Sequence, residues 1–161
     1  MIVSEKTLKW AMRAYPPLFF QRIWVKKFHR GFMGADVKVF SSIFNRNYNG
    51  SIFGGTIFAA TDPFYSILFD QLLQREGFKV RVWLKSASIQ YLKPGRSALH
   101  FTIIITDEML NDAITTLNSG DKFIRAYPIE VTDQHGVVCA TVMNEVYIRN
   151  LHSGENGPVA Y

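Results

Sequence analysis

Between residues 55 and 74 the chain places Ile57, Phe58, Ala59, Ala60, Phe64, Ile67, Leu68, Phe69, Leu72 and Leu73 around a helical axis, not along one side of it. The spacing predicts one long helix over about 55–74, ending before Gly77. A helix that is apolar all round has to be buried all round. That requirement constrains the fold more than any other feature. One sheet must curve around the helix, and any side it leaves bare must meet a second subunit.

The flanking segments read as strands. From Ala35, the residues Val37, Val39, Phe40, Ile43 and Phe44 form a β-rich run closed by the turn-rich Asn45-Arg46-Asn47-Tyr48-Asn49-Gly50. After the helix, 78–92 alternates with a change of phase: Val80, Val82 and Leu84 share one parity, and Ala87, Ile89 and Tyr91 the other. The flip at Lys85-Ser86 predicts a β-bulge. Lys93-Pro94-Gly95-Arg96 is a turn. Leu99, Phe101, Ile103 and Ile105 alternate in the next strand, and Asp107 is assigned as the cap of a short helix through Leu117. Strands over about 123–132 and 137–149 flank the turn Asp133-Gln134-His135-Gly136. One strand, a buried helix and four mostly antiparallel strands make an α+β fold.

The 161 residues fit one principal domain, and 48 % apolar with 19 % charged content describes an ordered globular chain. The net charge of +5 is unevenly placed. Residues 1–30 hold seven basic residues (Lys6, Lys9, Arg13, Arg22, Lys26, Lys27, Arg30) and the single acid Glu5, so the remainder is nearly balanced. A helix over 4–15 with Ser4 as N-cap, stopped by Pro16-Pro17, and a second helix over about 18–28 form a basic helical extension, 1–34. The principal domain spans 35–152, and 153–161 is a loose tail.

The basic extension also carries Trp10, Phe19, Phe20 and Trp24, which suits contact with a membrane surface. Packing is the favoured reading, because Leu8, Ala11, Leu18 and Ile23 add more apolar surface than a charge-steered anchor needs. Nucleic-acid binding would rest on charge alone, without a motif, and is not expected. The apolar run 18–25 is interrupted by Gln21 and Arg22 and followed by Lys26 and Lys27, which argues against a spanning helix or a secretory leader. The single cysteine, Cys139, excludes an internal disulfide and suits a reducing compartment, so a cytoplasmic location is expected. His29, His100, His135 and His152 lack paired spacing. Neither a metal site, nor a histidine dyad, nor a cofactor is expected.

Asp62 is the anomaly in the long helix. An ionised carboxylate among Phe58, Ala59, Ala60, Phe64 and Ile67 costs several kcal/mol unless something pairs with it. Seven residues separate it from Gly55, two helical turns, so both lie on one face. A polar group on an apolar wall near free backbone N–H groups is suited to activating a water or an acyl carbonyl. Asp62-Pro63 could equally be an N-cap and N1 pair restarting a kinked helix. Gly54 and Gly55 could serve close packing alone, and Asn47 could be one more turn residue.

Asn47, Phe53-Gly54-Gly55 and Asp62, together with Tyr91-Leu92-Lys93-Pro94-Gly95, make this segment order similar to the hot-dog fold, specifically its PaaI-like acyl-CoA thioesterases. Those proteins carry an asparagine, a short loop, His-Gly-Gly, and an acidic residue nine positions after the histidine. Asn-x-Asn-Gly-x₃-Gly-Gly with Trp-x-Lys-Ser-Ala resembles an uncharacterised, thioesterase-like branch of that superfamily. The resemblance covers roughly 35–150 and departs at one point, since Phe53 stands where the family has histidine.

The resemblance implies a homo-oligomer, dimer or tetramer, that hydrolyses thioesters of coenzyme A or acyl carrier protein. Asp62 would act as general base or nucleophile, the Gly54 N–H would polarise the carbonyl, and Asn47 would assist by hydrogen bonding. Phe53, Gly55, Tyr65 and Ser86 would face the substrate, with Ser86 on the same strand side as Leu84 if the strand is regular. In the family the two halves of the site come from different subunits. The loss of histidine supports a second reading, an acyl-binding module without turnover. A dehydratase would need a histidine beside the carboxylate, and none is placed for it.

Overall fold

The computed structural model describes residues 2–151. The elements are α1 (Glu5–Ala14), α2 (Pro16–Phe20), β1 (Ile23–Phe28), β2 (Gly34–Val39), α3 (Gly54–Thr61), α4 (Pro63–Arg75), β3 (Val80–Tyr91), β4 (Leu99–Ile104), α5 (Asp107–Asn118), β5 (Phe123–Asp133) and β6 (Val138–Asn150). One six-stranded antiparallel sheet, ordered β1-β2-β4-β5-β6-β3, curves around the α3–α4 helix. Sequential hairpins alone would not give this order. The chain crosses from β2 through the helix to β3 at the far edge, then returns to β4 beside β2.

The helix is held by a core in which Phe64, Leu68, Phe69 and Leu73 are fully buried. Phe64 meets Phe101 edge-on at 5.8 Å, and Phe69 lies 5.8 Å from both Phe123 and Tyr127. Each such side chain contributes about 1.5–3 kcal/mol through burial. The sheet of a single chain already covers Phe64 and Leu68, so little of the helix is left for a second subunit to cover. The stripe left bare on the helix and its entrance is narrow, consisting of Phe53, Gly55, Phe58 and Asp62.

The expected helix over 18–28 is corrected. α2 ends at Phe20, Arg22 adopts a positive φ of 61°, and Ile23–Phe28 is a strand paired with β2. The left-handed turn at Arg22 redirects the chain, after which Ile23, Val25 and Phe28 point into the core. A bulge between Val25 and Lys27 sets the last step at three residues instead of two. Ile43 and Phe44 do not extend β2, which stops at Val39, and both are exposed. Thr106, not Asp107, caps α5: its side chain accepts the Met109 N–H. The helix over 4–15 is found as α1, with Ser4 Oγ accepting the Thr7 N–H at 3.1 Å. The expected loose tail at 153–161 lies outside the described residues.

The predicted bulge is present. Pairing of β3 with β6 shifts register between Leu84 and Ser86, so Ala87 and Ile89 return to the half-buried side that Val80, Val82 and Leu84 occupy. Ser86 therefore does not share a side with Leu84, because the strand is not regular there.

Candidate active site

The entrance to α3 is fixed from three directions. The Ile52 N–H donates to the Gly95 carbonyl at 2.8 Å, the Phe53 N–H donates to Asn45 at 2.8 Å, and Tyr91 Oη donates to the Gly54 carbonyl at 2.9 Å. Asn45 is itself buried, donating Nδ2 to the Gln21 and Phe40 carbonyls and accepting the Ser42 N–H. The turn after β3 and the loop after β2 thus jointly aim the first residues of the helix.

Gly54 is required by close approach. A Cβ there would lie 2.9 Å from Cζ and Oη of Tyr91. Gly55 lies under the Phe53 ring. Phe53, at the N-cap position, offers no capping side chain, so among the described residues nothing caps the Gly54 and Gly55 N–H groups at the positive end of the helix dipole.

Two turns on, Pro63 lacks an N–H and cannot donate to Ala59, so α3 and α4 meet at a break. The break is slight, because Asp62 keeps helical angles (φ −57°, ψ −55°). Its carboxylate makes no capping bond, which removes the support for a purely capping role. Asp62 reaches solvent beside Phe58, yet the protein packed around it raises its pKa by desolvation. Among the described residues no cation pairs with it. Ser66, one turn further along the same face, has a buried Oγ with no hydrogen-bond partner among the described residues.

Asn144 was missed by sequence reasoning and holds the break from below. It is fully buried on β6 and donates Nδ2 to the Thr61 carbonyl at 2.9 Å, while its Oδ1 has no partner. The signal was present in the strand's alternation, since Asn144 shares the inward parity of Val142 and Val146.

The other expected site residues are placed as follows. Asn47 spends its amide on its own turn, with Oδ1 accepting the Asn49 and Ser51 N–H groups and Nδ2 donating to Ser51 Oγ. Tyr65 is buried, donates to the Pro128 carbonyl at 3.0 Å and stacks on Tyr127; burial first, then the Tyr127 charge, push its pKa up to about 12. Ser86 donates to Glu145, which also pairs with Lys85 at 3.0 Å. Cys139 is buried, with its thiol pKa raised chiefly by desolvation. The structure therefore brings Phe53, Gly55 and Asp62 onto one exposed stripe, sets half-buried Gly54 beside it under the Tyr91 ring, and leaves Asn47, Tyr65 and Ser86 engaged elsewhere. Among the described residues, no group of His, Cys, Asp or Glu could hold a metal ion, and no helix is long and apolar enough to cross a membrane.

Solved structures of other proteins share this architecture. PA5026 of Pseudomonas aeruginosa, a protein of unknown function described as a probable thioesterase, has a TM-score of 0.81 and 14 % identity. The match covers 93 % of this chain and 98 % of its own. Thioesterase HI1161 of Haemophilus influenzae has a TM-score of 0.69 and 13 % identity over 98 % and 97 % of the two chains. The PaaI protein of the E. coli phenylacetic acid degradation operon has a TM-score of 0.58 and 15 % identity over 92 % and 96 %. At these identities the likeness establishes the hot-dog fold. No curated protein matches the sequence. Residues 4–148 match the profile of the domain of unknown function DUF4442, and the chain belongs to that family.

Proposed function

We propose that the protein hydrolyses acyl thioesters of coenzyme A or acyl carrier protein, with Asp62 as the general base on water. The observation that carries this reading is a carboxylate with a raised pKa and no partner among the described residues, exposed on an apolar helix face whose N-terminus has no side-chain cap. Such a carboxylate is a better base than an ordinary aspartate. The free Gly54 N–H suits the oxyanion that forms when water attacks a thioester carbonyl. Asn47 and the anchors of the 45–53 loop act at one remove, by holding the helix entrance still.

Helical geometry supports a shared site. Eight residues at about 1.5 Å per residue set Gly54 and Asp62 about 12 Å apart along the axis. One acyl carbon cannot touch both groups of the same chain. A two-fold axis that runs two such helices antiparallel brings Asp62 of the partner subunit towards Gly54 and covers Phe58. β3 is a free edge beside this face, so a second copy could add to the sheet there.

Thiol release from a panel of acyl-CoA thioesters tests the activity, with Asp62→Asn as the control. Turnover that disappears in this variant, while the fold persists, supports the reading. Equal rates in both proteins would remove Asp62 from the chemistry. A second reading, an acyl-binding module without turnover, is favoured by one feature: Phe53, not an imidazole, stands at the helix entrance. Tight acyl-CoA binding with no thiol released would select it.

A further inference from the structure

The N-terminal elements carry a surface that the proposed thioesterase site does not use. Trp10, Tyr15, Phe19 and Phe20 are exposed by 54 %, 56 %, 42 % and 66 % although α1 and α2 pack through Met12 and Leu18 into the core. The helices are thus docked and still present rings to solvent.

Trp10 begins a continuous run of rings and cations across α1, β1 and β2, while Phe19 and Phe20 form an edge-on pair of their own at 5.5 Å. Lys9 and Arg13 sit 5.7 Å and 4.9 Å from the Trp10 ring, and Arg13 is also 4.9 Å from Trp24. Trp24 meets Phe40 edge-on at 5.7 Å, and Lys38 lies 4.6 Å above Phe40. Register continues the patch, pairing Trp24 with Lys38 and Lys38 with His100. His100 has its pKa lowered by desolvation and then by Lys38 and Lys26, which shows how close these charges stand.

The charges are unneutralised. Among the described residues, Lys6, Lys9, Arg13, Arg22, Lys26, Lys27, Arg30 and Lys38 form no ion pair with a carboxylate. The two acids of this region are already engaged: Glu5 accepts the Gly31 N–H, and Asp36 contacts His29 and Thr102.

We propose that α1, α2 and the outer face of β1–β2 dock on an anionic lipid bilayer. The exposed rings enter the headgroup layer, and the lysines and arginines meet lipid phosphates. Exposed aromatics beside unpaired cations are the composition an interfacial helix needs. A second copy is a poorer occupant, because two surfaces of the same strong charge would face each other. Nucleic acid accounts for the cations and leaves Phe19 and Phe20 without a role. The patch lies at the β1 edge, opposite the β3 edge, so self-association through β3 leaves it open.

Cosedimentation of the full chain with vesicles tests this independently of any turnover. Vesicles of phosphatidylcholine containing about one-third phosphatidylglycerol should bind at least about tenfold more protein than phosphatidylcholine alone. Raising salt from about 0.05 M to about 0.5 M should release most of it. Phe19→Ser with Phe20→Ser should weaken binding about tenfold at constant charge. Lys26→Glu with Lys27→Glu should weaken it at least as much, about fivefold or more per residue. All four positions are exposed, so unchanged thermal midpoints would confirm that the variants fold. Equal binding to neutral vesicles, or no binding, overturns the proposal. So does a mass in vesicle-free sedimentation that falls in the Phe19/Phe20 variant, which would identify a second copy as the occupant. Tighter binding to a duplex oligonucleotide than to anionic vesicles overturns it as well.

Discussion

The two edges of the sheet present opposite surfaces. β1 is six residues long, bulged after Val25, and overlaid by α1 and α2, with unpaired cations on α1 and on β1 itself. β3 is twelve residues long, and its inward set, Val80, Val82, Leu84, Ala87 and Ile89, is only half-buried. Trp83 and Tyr91 on the same strand are exposed. A short, twisted, cationic edge discourages a neighbouring strand, whereas a long edge with half-exposed apolar residues accepts one. Under the proposed shared site, the contrast favours β3 as the edge for a second subunit, and the candidate site lies on that side. Tyr91, the last residue of β3, holds Gly54.

The largest expected effect breaks the β3 side alone. Asp62→Asn should lower kcat by about 10²–10⁴, the usual loss when a general base is removed. In the native protein kcat should rise with pH through a pKa above the ordinary aspartate range, because desolvation raises it. The stability sign follows from the same shift. A carboxyl whose folded pKa is raised binds its proton more tightly in the native state, so stability falls as pH rises from the unfolded pKa through the folded one. Asparagine stays neutral, so the variant's thermal midpoint at neutral pH should equal or exceed the native one. A lower midpoint with unchanged kcat would instead show that Asp62 supports the helix break.

Self-association is the next test of the contrast. Sedimentation should show a dimer or a multiple of the 18.4 kDa chain at low micromolar concentration. Phe19→Ser with Phe20→Ser should leave that mass unchanged. A clean monomer would remove both the β3 interface and the shared site. A mass that depends on Phe19 and Phe20 would exchange the roles of the two edges.

The same contrast marks what could be read in the sequence. The β3 edge was legible down to its bulge, because strict alternation with one phase flip has a single reading in a half-buried strand. β1 was not. Its inward residues Ile23, Val25 and Phe28 are spaced by two and then three, and behind the apolar Leu18-Phe19-Phe20 they continue a helical pattern as plausibly as they start a strand. The all-round apolar helix gave the fold class, but the sheet's curvature decides how much of that helix one chain covers, and residue types do not encode curvature locally. At the site, Gly55 and Asp62 stood out through their two-turn spacing, and Gly54 through the family resemblance. The engagement of Tyr65 with Pro128 and the buried bond from Asn144 to Thr61 join residues 63 and 83 positions apart, and no local pattern announces such bonds.

Asn144→Ala probes the break below Asp62. It leaves the Thr61 carbonyl without its donor and opens space in the core, costing about 1–3 kcal/mol. Chemical denaturation should show the loss in the midpoint with the slope unchanged. Asn144→Asp should be worse, since a buried carboxylate cannot donate to Thr61. An Asn144→Ala variant of native stability would mean that the break needs no support from β6.

The smallest effect belongs to Tyr91→Phe. The ring stays over Gly54, where the absent Cβ leaves room for it, and only the 2.9 Å bond from Oη to the Gly54 carbonyl is lost. A neutral hydrogen bond contributes about 0.5–1.5 kcal/mol, and the exposure of Tyr91 places this one at the low end. The stability change should therefore be slight, while a loosened helix entrance should lower kcat several-fold with KM little altered. Gly54→Ala makes the opposite change, keeping the hydroxyl and pushing the ring out through a Cβ 2.9 Å away. If the ring and the hydroxyl together set the direction of the Gly54 N–H, Gly54→Ala should lower kcat more than Tyr91→Phe. If instead Gly54 matters only for packing, both variants should lose stability without any change in kcat, and the oxyanion role would pass from Gly54 to another group.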